Sequence, residues 1–233
     1  TTIFPVMSKG WESHNLEAVR DYFAKGIRVV FLTTLPLAVV FIVIGKSIIK
    51  ILFERGAFDS TATTAVSNSL SILMGAFICL SIGGIVAKGF YISNKTKIFS
   101  LIVSSEVIIY LCLGYFLSRE FSYLGLAVAL SASSLYTIVV SIVVLRKIFK
   151  GLNGTKLLKD LVRIITASLL TAVIIFVLNE FVVENLYDLI RVTVSGGFGL
   201  LFYFLFLVLV LPVEDAVNFR DRVMASIHSK TRK

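Results

Sequence analysis

The sequence predicts an all-α fold: a polytopic membrane bundle of about six complete transmembrane helices. Three observations predict it. Hydrophobic residues fill 57% of the 233 positions, charged residues only 16%, and the mean hydropathy is +0.93, which leaves too little polar surface to cover a body in water. The apolar runs are long and continuous, without the short polar and apolar alternation of a barrel strand. The basic residues gather in alternate loops, as topology in a membrane requires.

Six runs reach the roughly 20 apolar residues that a spanning helix needs: 29–45, 64–87, 98–117, 122–145, 161–183 and 192–211. The first is short and carries Pro36, which predicts a kink whose freed carbonyl is covered by neighbouring side chains or water. Gly83-Gly84 in the second and Gly196-Gly197 in the sixth offer smooth surfaces for close helix packing, or points where a helix bends during gating. Ser131, Ser133 and Ser134 put a small polar face on the fourth. The last two runs carry no buried charge and are joined through Glu180, Glu184 and Asp188.

Glu106 is the only acidic residue well inside a run. A carboxylate at that depth costs at least a few kcal/mol unless it is protonated, paired or facing a wet cavity. Two readings stay open: a neutral carboxyl bonded to a neighbouring Ser or Tyr, or a functional group. Lys88, near the end of the preceding run, either snorkels to the interface or, if the two helices are strongly offset, partners Glu106.

With six spans both flanks lie on one side, and that side holds 18 of the 23 basic residues; Lys46, Lys50, Arg55, Arg119 and Arg191 are the other five. Both ends are therefore expected in the cytoplasm. The net charge of +9 is spread over loops flanking the membrane, which argues against a nucleic-acid partner. The tail 213–233 alternates apolar and charged residues and reads either as a segment lying on the anionic leaflet or as a disordered basic tail.

Chemistry of a catalytic kind has little to draw on. The sequence has no Gly-rich phosphate loop, no His-Glu-x-x-His and no serine elbow, so no enzyme activity and no cofactor are expected. Cys79 and Cys112 lie in apolar runs, and His14 and His228 stand in the terminal polar segments, so neither a disulfide nor a metal site is predicted. Transport or scaffolding is left. The chain opens on Thr1, and its first residues read as the end of an apolar segment, so an upstream portion is expected.

The loops also carry a resemblance. Residues 52–59 read Leu-Phe-Glu-Arg-Gly-Ala-Phe-Asp and follow a run with Pro36 near its middle, which resembles the LFxRGAF signature of the MviN/MurJ family. Those proteins are bacterial flippases for lipid-linked peptidoglycan precursor, within the multidrug/oligosaccharidyl-lipid/polysaccharide exporter superfamily. In the family's order, residues 4–8 with Pro5 resemble LPxLS, Phe90-Tyr91 followed by Thr96 resembles FYAxxDTxTP, and the stretch from Gly125 to Ser131 resembles GLALATS. The positions that carry the motifs are Pro5, Pro36, Arg55, Gly56, Phe58, Phe90, Tyr91 and Gly125.

The resemblance implies that residues 1–150 hold the end of the eighth span and four spans of a second lobe, residues 151–212 two additional helices, and residues 213–233 a basic cytoplasmic tail. It implies a missing N-terminal lobe as partner, lipid II or another lipid-linked glycan as substrate, membrane lipids as surroundings, and a groove for a polyprenyl tail between the last two helices, which from their residues alone read equally well as two lipid-facing helices. The cavity arginines of the family would lie upstream of Thr1. Lys95 and Phe99 stand where the family has Asp and Pro, Tyr110 and Gly114 align with paired polar positions that help hold sodium in some members, and Leu130 aligns with the Thr of GLALATS, so such a sodium site is not expected. Arg55, Glu106 and Lys88 are the candidates for substrate contact or coupling; for Arg55 the alternative is a solvated loop with local ion pairs to Glu54 and Asp59. The rival functions are export of another lipid-linked oligosaccharide or a small cation, and a non-transporting scaffold for envelope synthesis.

Overall fold

The computed structural model describes residues 3–152, 154–182 and 188–209. The tail 213–233, Glu184 and the ends of the last two predicted runs lie outside them. Among the described residues seven α-helices follow one another: α1 Ile3–Glu12, α2 Leu16–Phe53, α3 Ser60–Ile92, α4 Thr96–Phe121, α5 Tyr123–Ile148, α6 Gly154–Val177 and α7 Asp188–Leu209. A π-helical turn, Leu178–Val182, extends α6. Six of the helices, α2 to α7, are long and apolar enough to cross a membrane, and each overlaps one of the six apolar runs.

Helices α2 and α3 outrun the bilayer. At 1.5 Å per residue the 38 residues of α2 span about 57 Å, against a hydrocarbon core of about 30 Å. For α2 most of the excess, residues 16–28, lies at the end of the bundle where the α1–α2, α3–α4 and α5–α6 connections meet, here called the basic end. There Met7, Phe23, Val86, Phe90, Leu145 and Phe149 are fully buried in one cluster. Phe23 meets Phe149 edge to face at 5.7 Å, and Phe99 stacks on Phe90 at 5.1 Å, filling the place where the motif has a proline.

Caps and turns are set by local chemistry. Asn15 and Asp59 accept from the amides of Ala18 and Ala62, at 3.1 and 2.9 Å, and start α2 and α3. Arg20 of α2 donates to the carbonyls of Phe149 and Lys150, both at 2.8 Å, satisfying the exposed C-terminal end of α5 and complementing its dipole. Between α4 and α5 only Ser122 intervenes, so the chain doubles back at once. A Cβ on Gly125 would overlap the Leu117 carbonyl, and this close approach is what the glycine of that motif permits.

Helices α2, α3, α4 and α5 form the body, with α5 packed against both α3 and α4. Helices α6 and α7 pack on each other and on α2, and reach the rest of the body chiefly through it. Ile164, Ala167, Tyr203 and Leu207 close one seam against Phe31, Leu32 and Leu35; Val40, Ile44 and Ile175 close a second. Helix α4 is the least covered: Leu101, Ile108, Leu111 and Phe116 are all more than 60% exposed.

Candidate functional site

Two clusters of polar groups stand out inside this apolar bundle. The first is the α4–α5 seam. Glu106 is half-buried, and both its carboxylate oxygens accept hydroxyl hydrogen bonds from α5: Oε1 from Ser134 at 3.0 Å and Oε2 from Thr137 at 2.8 Å. Residues three apart share a helix face, so Ser134 and Thr137 grip one carboxyl together. On neighbouring turns, Ser131 donates to the Ile72 carbonyl of α3 at 2.8 Å and Ser105 meets the Tyr136 hydroxyl at 3.2 Å. Ser141, lower on α5, is buried with its hydroxyl unpaired among the described residues. The seam is thus a ladder of small hydroxyl groups centred on one carboxyl group, a place where charge or a proton can be held inside the bundle.

The second place was not singled out from sequence. Arg28 of α2 and Asp160 of α6 form an ion pair at 2.6 Å, with side chains 8% and 10% exposed, and Arg163 approaches the other Asp160 oxygen at 3.6 Å. Asp160 is the only acid between residues 146 and 163. It stands one residue before the run 161–183, as Arg28 stands one before 29–45. That matched placement is the sequence signal; without knowing that α2 and α6 pack together, both residues read as loop charges.

The other candidates stand apart. Lys88 is half-buried near the basic end, and among the described residues it makes no ion pair with Glu106. Arg55 is exposed at the opposite end, where its hydrogen bond runs to the Ile51 carbonyl at 3.3 Å. Its acidic neighbours serve α3 instead: Glu54 accepts from Thr63 at 2.6 Å, and Asp59 is the cap. Gly56 takes φ +59°, the left-handed turn that glycine adopts freely; Phe58 lies 6.2 Å from the Phe53 ring. Of the remaining motif positions, Pro5 is exposed in the first turn of α1, Phe90 is buried, and Tyr91 is exposed.

Pro36 is buried within an unbroken α2. It offers no N–H to the Leu32 carbonyl, and the Tyr203 hydroxyl of α7 donates to that carbonyl at 3.0 Å.

These features define a multi-pass α-helical membrane protein whose spans carry isolated, well-partnered polar groups. Its family follows from comparison with known proteins. The family described as lipid II flippase MurJ matches residues 1–194, and the chain belongs to that family. A probable lipid II flippase MurJ of Rickettsia prowazekii (strain Madrid E) is 24% identical over 200 residues, covering 84% of this chain and 39% of the relative. Another from Rhizobium tropici is 30% identical over 98 residues, 41% of this chain and 18% of that one. A solved structure of lipid II flippase MurJ in an inward closed conformation superposes with a TM-score of 0.71 at 20% identity, over 96% of this chain and 43% of that one. The chain thus spans about two fifths of the length of the Rickettsia protein.

Proposed function

We propose that the protein carrying this chain moves a polyprenyl-pyrophosphate-linked peptidoglycan precursor, lipid II, across the bacterial inner membrane by alternating access. The observation that carries the reading is the family match over residues 1–194, which takes in α1 to α6 and the start of α7. The physical demand is plain: the charged head must cross a region where an unsolvated charge is very costly, so a polar cavity replaces its water while the tail stays in lipid. Rocking of two lobes about a midplane cavity meets that demand without covalent chemistry.

In this reading residues 1–150 supply one wall of the cavity, an upstream lobe supplies the other, and residues 151–212 add two helices at the side. The attachment of α6 and α7 through α2 supports that division. Both ends face the cytoplasm, supported by the 18 basic residues assigned to that side. Glu106 is the coupling candidate, because it is a partnered carboxyl group deep in a span; Lys88 and Arg55 are candidates for contact with the head at the two ends.

The test is depletion in a bacterium that has no other such protein. Precursor is expected to accumulate on the cytoplasmic side and growth to stop. Normal amounts of lipid-linked precursor outside the depleted cells, with no other polyprenyl-linked glycan building up inside, would overturn the reading in favour of a scaffold.

A further inference from the structure

At the end opposite the basic one, α2, the π-helical turn and α7 enclose a cavity of about 380 Å³. Helix α2 contributes Val43, Lys46, Ser47 and Lys50, whose spacing puts them on a single face. Helix α6 contributes Phe176, its extension Asn179 and Glu180, and α7 Arg191. Only five basic residues are assigned to this side of the molecule, and three of the five, Lys46, Lys50 and Arg191, line this one cavity. Three cations face a single carboxylate among its lining residues.

The local geometry prepares the site for an anion. Asn179 holds the Arg191 guanidinium, with its Oδ1 on Nε at 2.8 Å and its carbonyl on Nη2 at 2.7 Å, and Glu180 lies 3.5 Å from Nη2. The planar fork is therefore fixed in place while Nη1 makes no hydrogen bond among the described residues. Lys46 and Ser47 likewise make no hydrogen bond or ion pair among them. Elsewhere in the bundle Ser69, Ser71 and Ser81 return their hydroxyls to the carbonyl four residues back, so the Ser47 hydroxyl is left available to a ligand. A π-helical turn at a ligand site is a recurrent arrangement.

Depth identifies the ligand class. On all three elements a charged or amide residue closes a long apolar stretch at this cavity: Lys46 after Gly45, Asn179 after Leu178, and Arg191 before Val192. The hydrocarbon boundary therefore passes through it, at the level where lipid phosphates lie. Val43 and Phe176 extend the lining on the apolar side, a surface suited to acyl chains and of no use to a free ion. We propose that this cavity binds the phosphate headgroup of an anionic membrane lipid, held by Lys46, Lys50, Ser47 and Arg191. The site is separate from the Glu106 seam and does not depend on the transport reading.

The intact protein, purified in detergent with added phosphatidylglycerol, phosphatidylcholine or inorganic phosphate, is examined by native mass spectrometry. Phosphatidylglycerol is expected to stay bound in preference to phosphatidylcholine, and excess inorganic phosphate is expected to leave it in place. The double variant Lys46→Gln/Lys50→Gln removes two exposed side chains and is expected to bind phosphatidylglycerol roughly 30-fold more weakly, the combined effect of two cations near the surface. The Lys46→Arg/Lys50→Arg pair is expected to retain it. Arg119→Gln is the control, because Arg119 lies over the Tyr115 ring on the same side and does not line the cavity. Equal retention by wild type and the glutamine pair, an equal loss in the Arg119 variant, or displacement by inorganic phosphate would each overturn the proposal.

Discussion

The Tyr203 hydroxyl of α7 donates to the Leu32 carbonyl of α2 at 3.0 Å, four residues before Pro36. A proline inside a spanning helix removes one backbone donor, and hydrocarbon offers no water to replace it. Here the replacement comes from a neighbouring helix, so the proline also records where α7 docks. Tyr203→Phe is expected to cost about 1 kcal/mol of unfolding free energy. The same change made on Pro36→Ala is expected to cost less, because the restored N–H satisfies Leu32. A double-mutant cycle from reversible unfolding in mixed micelles measures the coupling, and additive effects would contradict the assignment.

The buried pair Arg28–Asp160 predicts an asymmetry. Asp160→Leu alone removes the carboxylate that the buried Arg28 guanidinium meets at 2.6 Å, and the expected loss is about 3–5 kcal/mol. Combining it with Arg28→Leu is expected to recover most of that loss, since the two desolvation costs disappear together. Thermal unfolding of the four proteins checks this; a double variant as unstable as the sum of the singles would refute it.

Glu106 separates two roles through its isostere. Glu106→Gln keeps a side chain of the same shape and an oxygen to accept a hydroxyl, so its melting temperature is expected to stay near that of the wild type. If the carboxyl group couples transport, exposure of precursor on the outer face is expected to fall roughly tenfold or more, equivalent to about 1.4 kcal/mol in a barrier. Unchanged exposure in both Glu106→Gln and Glu106→Leu would reduce the residue to a structural role.

Orientation is open to labelling. Gly154 begins α6 with open space around its backbone, and Thr61 is exposed in the first turn of α3 at the other end. In a background without Cys79 and Cys112, a cysteine at 154 is expected to resist a membrane-impermeant maleimide in intact cells, and one at 61 to react. The reverse pattern would invert the proposed topology.

The six spans were legible because length and apolar composition decide them, and both are properties of the sequence itself. The reach of α2 beyond its run was not, since Val19 and Phe23 are buried only once α1, α3 and the end of α5 lie beside them. Glu106 could be recognised as an acid in an apolar run, and Ser134 as part of a polar face. Thr137 went unnoticed because its partnership depends on the register of α4 against α5. Arg28 and Asp160 show the same limit: each was visible as a charge at a span boundary, but their contact is a fact of which helices pack. Pro36 is the converse case, where the backbone chemistry predicted that something must cover Leu32 and only the fold could name Tyr203.

The route by which α6 and α7 join the body, chiefly through α2, also fixes the order in which the molecule would come apart under load. Tension drawn from the end of α7 falls first on its seams with α6 and α2, around Leu207, Tyr203 and Ile164. Helix α6 is next, anchored by the Asp160 carboxylate on Arg28. Helices α3, α4 and α5 would still be seated when both had left, because their seams with one another and with α2 carry none of that strain. A single-molecule extraction trace should therefore show two separate early steps before the collective rupture of the body.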